Sequence, residues 1–151
     1  MENSPVIERS SENNEYAFLA LRFVFFVAPF LVGLDKFFNT LTFWPKYLAS
    51  VFPDMLGITP QSFMFIVGFI EMVVGIGMLF KTKLFSYIVS FWLVGIILNL
   101  LILGNYYDVA LRDLGLAISA FALAKLADAH ERKLVGRTEK RFIRRHIATH
   151  S

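Results

Sequence analysis

Arg22, Asp35, Lys36, Glu71, Asn99, Arg112 and Asp113 are polar side chains set within, or at the ends of, long apolar blocks. Glu71 lies near the middle of its block, and the run from Phe63 to Phe80 holds no other charge. An ionisable group at that depth must face protein or water and must find a partner. Lys36, Arg112 and Asn99 are the available donors, with Arg22 further away along the first apolar block. Asp35, Glu71 and Asp113 are the acceptors. Two arrangements answer this inventory. One is an ion-pair network that fixes helix register. The other is the polar wall of a pocket that holds the head of an amphipathic molecule. Conventional hydrolysis finds no support, since Ser90 and Ser119 have no histidine near them in sequence. A paired-carboxylate site of Glu71 and Asp113 competes with simpler ion pairing to two nearby basic groups. The chain has no cysteine, so thiol redox chemistry and thiolate ligation are excluded in it. His130, His146 and His150 all lie in the C-terminal tail, which leaves no histidine within the apolar blocks to ligate a haem.

The elements that must position these groups are legible in composition. The chain has 151 residues, 56% hydrophobic and 18% charged. That is more apolar than an ordinary soluble domain, and a soluble bundle would lack the polar surface to cover its helices. The apolar residues fall in four blocks, about Tyr16–Leu34, Ser62–Phe80, Leu84–Leu103 and Tyr107–Leu126. Each approaches the roughly 20 residues needed to span a bilayer. The expected fold is therefore an all-α membrane protein, a four-transmembrane-helix bundle over residues 16–126.

Residues 1–15 are polar and acidic and are expected to be disordered. They lack the basic n-region of a signal peptide. In the first span, Arg22 sits about 9 Å from the start by helical rise and either snorkels or pairs internally. Pro29 frees a backbone carbonyl there. The connection to the second span is rich in aromatics. Phe43, Trp44, Tyr47, Leu48, Val51 and Phe52 recur at helical steps, which predicts a short interfacial helix anchored by Trp44 and Tyr47 and ended by Pro53. Thr59-Pro60 is a cap followed by a first-turn proline, a clean start for the second span. Gly68 and Gly75 flank Glu71 at helical spacing and open that face to close approach by a neighbour. Asn99 shares a face of the third span with Trp92 and Gly95. It reads more readily as an interhelical hydrogen bond than as a ligand contact.

The tail, 127–151, carries Arg141, Arg144 and Arg145 among Phe142, Ile143 and Ile147. It is expected to rest on anionic lipid; nucleic acid is a poor partner for such a chain. Lys81, Lys83 and the tail would share one side of the membrane, which the positive-inside rule makes the cytoplasm, so both termini are expected there. Asp35, Lys36, Glu71, Asn99, Arg112 and Asp113 then gather in the outer half, with Arg22 deeper.

The motifs Gly33-Leu34-Asp35-Lys36, Gly68-Phe69-Ile70-Glu71-Met72-Val73-Val74-Gly75 and Arg112-Asp113-Leu114-Gly115-Leu116, with Arg22 early in the first span, resemble the DoxX-like family of small four-helix membrane proteins. The resemblance covers roughly Tyr16 to Leu126. It implies a bacterial inner-membrane protein related to the membrane subunit of a thiosulfate:quinone oxidoreductase. Such a protein would handle a quinone or support a redox partner protein, with Lys36, Glu71, Arg112 and Asp113 at the polar site. Two other readings stay open. One is a scaffold whose buried charges are structural. The other is a small transporter or proton path through Arg22, Glu71, Asn99 and Arg112, which would require a homo-oligomer.

Overall fold

The computed structural model describes residues 5–148, with side chains described for residues 13–136. All regular structure among them is helical: α1 (Pro5–Asp35), a 3-10 turn (Trp44–Tyr47), α2 (Val51–Leu56), α3 (Pro60–Phe80), α4 (Thr82–Leu103) and α5 (Tyr107–Ala148). Three segments are long and apolar enough to cross a membrane: Asn13–Asp35, Pro60–Phe80 and Thr82–Leu103. The chain is a multi-pass helical membrane protein.

Helix boundaries follow local chemistry. Thr59 caps α3 by accepting the Ser62 N–H at 3.1 Å, and Pro60 occupies the first turn, where its missing N–H needs no partner. Lys81 alone separates α3 from α4, and the Thr82 hydroxyl donates back to the Met78 carbonyl at 2.9 Å. Gly104, in the left-handed region at φ 74°, closes α4.

Long helices α1, α3, α4 and α5 form a ring, each packed on the next. The α1–α3 seam is the tightest. A Cβ built on Gly33 would stand 2.5 Å from the Gly68 carbonyl oxygen, and one built on Gly68 would stand 2.5 Å from that of Gly33. Two glycines thus let the backbones meet directly, which in lipid is how packing contacts are gained. On the opposite side α5 runs antiparallel to α4. Ser90 donates to the Ala117 carbonyl at 2.9 Å, Tyr87 packs edge-on to Phe121, and Lys83 pairs with Asp128. At the Lys81 end all four helices converge on Phe18, Phe25, Met78, Val89, Ala120 and Leu123.

Three local features depart from or extend the expected elements. Helical backbone begins at Pro5, within the segment expected to be disordered through residue 15. Extending an established helix adds one hydrogen bond per residue, which lets the span propagate into polar sequence. The expected interfacial helix is two pieces, the 3-10 turn and α2. Pro53 lies within α2 rather than ending it. It occupies the first turn, where no N–H is required, and Gly57 at φ 63° ends the helix. The fourth apolar block and the described part of the tail, through Ala148, form one helix of 42 residues. The tail's expected seat on lipid concerns side chains that lie largely outside the described residues.

Candidate functional site

Opposite the Lys81 end the four long helices splay and enclose a cavity of about 960 Å³. Phe25 and Val89, both part of the core, lie at its base. The connector between α1 and α3 covers the far end, with Trp44, Tyr47, Leu48 and Phe52 on the cavity wall.

Two residues hold the connector in place. Asp35, at the last turn of α1, accepts from the backbone N–H groups of Thr40 and Leu41 at 3.1 Å and from the Trp44 indole at 2.8 Å. Asn99 on α4 accepts from Ala49 N–H at 2.9 Å and donates to the Tyr47 carbonyl at 2.6 Å. Side chains from the two helices thus satisfy connector backbone groups that have no secondary-structure partners. Gln61 adds a bond to the Lys36 carbonyl at 3.2 Å, and Tyr47 packs on Tyr106.

The charged centre is Lys36–Glu71. Their side-chain atoms meet at 2.5 Å, and the residues are 4% and 7% exposed. Glycine contact between α1 and α3 brings the two charges together, since Gly33 and Gly68 each lie three residues before one of them. Lys36 also stands 4.1 Å from the centre of the Trp44 ring, a cation–π contact that further offsets its desolvation. Asp113 lines the cavity on α5, within electrostatic reach of Arg112, Glu71 and Lys36. It is half-buried and makes no hydrogen bond among the described residues.

The structure therefore brings Lys36, Glu71 and Asp113 together, with Asn99 on the same cavity wall. Arg112 is at the cavity rim, where it pairs with Asp108 at 3.1 Å, both side chains more than 70% exposed. It is not the partner of Glu71. Asp35 bonds the connector. Arg22 is separate: its guanidinium donates to the Leu79 carbonyl at 2.5 Å, closing the last turn of α3. About 12 Å of helix lies between Leu79 and Glu71 at the usual rise, and the core cluster occupies that level.

Trp92 is the wall residue whose importance the sequence understated. Its indole lies within reach of Glu71, yet the buried Nε1–H makes no hydrogen bond among the described residues. The signal was present, since Trp92, Gly95 and Asn99 share one face of α4. No histidine, cysteine or carboxylate cluster able to hold a metal ion occurs among the described residues. The geometry suits binding: an apolar chamber, a few fixed polar groups, and walls on four helices.

Comparison with protein-family models, with curated proteins and with solved structures finds no match to this chain.

Proposed function

We propose that this protein is a four-span membrane protein whose cavity binds an amphipathic membrane solute, a quinone or a lipid with a polar head, and that it serves as a subunit or accessory of a membrane oxidoreductase. The observation that carries the binding reading is the 960 Å³ chamber with the buried Lys36–Glu71 pair on its wall. A chamber of this size is large enough for a drug-sized ligand. The oxidoreductase assignment rests on the motif resemblance alone. A fourth span is supported by α5, which runs beside α4 from Ala117 to Asp128 and so occupies the same depth. On this reading both termini are cytoplasmic, the membrane is the bacterial inner membrane, and the cavity lies in its outer half.

Solvent extraction and mass spectrometry of gently purified protein test it, with wild type beside Gly95→Phe. Gly95 lines the cavity, and a Cβ there meets nothing within 4 Å, so the larger side chain fills the chamber without disturbing a packed seam. A lipid-soluble molecule enriched in wild type and lost from folded Gly95→Phe is the expected result. Equal retention, or no enriched molecule, overturns the reading.

The scaffold reading is favoured by a different observation. Asp35, Asn99, Lys36 and Glu71 all find partners within the protein. It predicts an empty wild-type cavity and buried charges that matter only for folding.

A further inference from the structure

We propose that the connector between α1 and α3 is a lipid-binding surface: it dips back into the bilayer and beds Phe38, Leu41, Met55 and Leu56 in the hydrocarbon edge of the leaflet on its side. The proposal needs only the three segments long and apolar enough to cross a membrane, in α1, α3 and α4. It stands whether or not the cavity holds a ligand.

The depth of the connector follows from helix register. Helices α1 and α3 run antiparallel in one unbroken register. Arg22 bonds the Leu79 carbonyl, a Cβ on Gly75 would stand 2.9 Å from the Phe26 carbonyl oxygen, and Gly33 meets Gly68. Continued past Asp35, that register puts Phe37 and Phe38 level with Phe63 to Phe65, within α3 rather than above it. Phe37 and Phe65 do stack, with ring centroids 5.2 Å apart and planes 3° from parallel. On the other flank, Asn99 bonds the backbone of Tyr47 and Ala49. Asn99 stands four residues before the end of α4, about 6 Å inside it. At two places, then, connector backbone lies level with the interior of the spans.

That backbone is equipped for such a depth. Hydrocarbon offers no hydrogen bonds, so non-helical backbone within a membrane must find its partners in the protein. Every backbone N–H from Phe37 to Leu41 does so. Those of Phe37, Phe38 and Asn39 donate to the carbonyls of Leu34 and Asp35, and those of Thr40 and Leu41 to the Asp35 carboxylate.

Exposure sorts the connector into three faces. Trp44, Tyr47, Leu48 and Phe52 line the chamber, so the two aromatic residues expected as membrane anchors serve the cavity. Phe38, Leu41, Met55 and Leu56 point away from the protein and are between 62% and 79% exposed. Lys46, Ser50 and Asp54 recur at four-residue steps and are exposed as well. Lys46 shares a groove with Thr59 and Pro60, at the very start of α3. One apolar and one polar exposed side suit an element that lies in a membrane interface. Lipid is the occupant because the apolar side continues the lipid-facing surface of α3. The Phe37–Phe65 stack joins it to Phe65 and Phe69, themselves 38% and 62% exposed. Its four side chains offer a partner protein no polar contact.

The chain has no cysteine, so one introduced thiol takes one label. The test attaches a nitroxide to Phe38→Cys, Leu41→Cys, Met55→Cys and Leu56→Cys, and to Lys46→Cys, Ser50→Cys and Asp54→Cys, in phosphatidylcholine liposomes. Power-saturation electron paramagnetic resonance reads collisions with oxygen, which concentrates in hydrocarbon, and with a neutral nickel chelate, which stays in water. All seven positions are exposed, so the label displaces no packed neighbour, and four apolar positions leave a result if one variant misfolds. Oxygen access is expected to exceed nickel access several-fold at Phe38, Leu41, Met55 and Leu56, most of all at Phe38. The order should reverse at Lys46, Ser50 and Asp54. Nickel access prevailing at Phe38 and Leu41, or at Met55 and Leu56, overturns the proposal, since that part of the connector then stands in water. Low access to both reagents at the four apolar positions overturns it as well, and means that a protein, a second copy of this chain included, covers the face.

Discussion

The two ends of the bundle are made by the same four helices and are packed in opposite ways. At the Lys81 end, apolar side chains from every helix interlock, with Met78, Ala120 and Leu123 fully buried. At the connector end the helices surround a chamber, and besides the Gly33–Gly68 contact they are held by polar bonds: Asp35 and Asn99 to the connector, and Lys36 to Glu71. Lipid is as apolar as leucine, so helices in a bilayer gain little by burying apolar surface and associate through close packing and hydrogen bonds. The closed end uses the first of these, and the open end adds the second to the close Gly33–Gly68 contact. Polar bonds at fixed points can hold helices without filling the space between them.

The comparison breaks most sharply at the ion pair. Lys36→Met leaves Glu71 buried without its partner and should destabilise the protein by about 3–5 kcal/mol, whereas the double variant Lys36→Met/Glu71→Leu should recover most of that loss. Equilibrium unfolding in detergent measures both. If the single variant is as stable as wild type, the pair does not hold the open end. Next come truncations in apolar walls. Leu123→Ala at the closed end should lose about 2–5 kcal/mol. Ile70→Ala, whose side chain already faces the chamber, should lose under about 1 kcal/mol, because few contacts disappear with it. Similar losses at the two sites would mean that the chamber is packed in solution.

A smaller and local effect is expected at Asn99. Its replacement by alanine strands the Ala49 N–H and the Tyr47 carbonyl and should weaken the connector by about 1–3 kcal/mol. Hydrogen exchange should accelerate across 44–56 and stay unchanged in α4 near Ser86. Smallest is the Lys83–Asp128 pair beyond the closed end. Its hydrogen bond from Lys83 holds the Asp128 carboxyl below the usual carboxylate range. A carboxyl lowered by folding adds stability above its unfolded value and loses it as pH falls through the folded one. Asp128→Asn should therefore flatten the acid side of the stability–pH curve slightly, a change read by thermal melts between neutral and acidic pH.

The sequence exposed features set by neighbours along the chain and hid those set by rotation about helix axes. The Thr59–Pro60 start of α3 was legible because a cap and a first-turn proline act within four residues. So was the close approach at Gly68, since a missing side chain beside a buried acid has few other uses. That Glu71 meets Lys36 rather than Arg112 was not legible. The choice depends on the Gly33–Gly68 contact, which turns Lys36 inward, and on the rotation of α5, which leaves Arg112 beside Asp108. Asp35 read as a member of the charged site, yet it serves the connector, whose path no periodicity records. Trp92 was visible on the Asn99 face, but its place beside Glu71 exists only in three dimensions. Pro53 misled because a proline reads as a stop, while the first turn of a helix accepts it.

The uninterrupted α5 is longer than a membrane is thick. At the usual rise its 42 residues make a rod about 63 Å long, against a hydrocarbon layer of about 30 Å. Roughly half of the rod lies beyond Asp128, which pairs with Lys83 at the start of α4. Beyond Asp128 its helical backbone continues for about 30 Å, more than the hydrocarbon layer leaves room for, so its C-terminal turns reach the aqueous side.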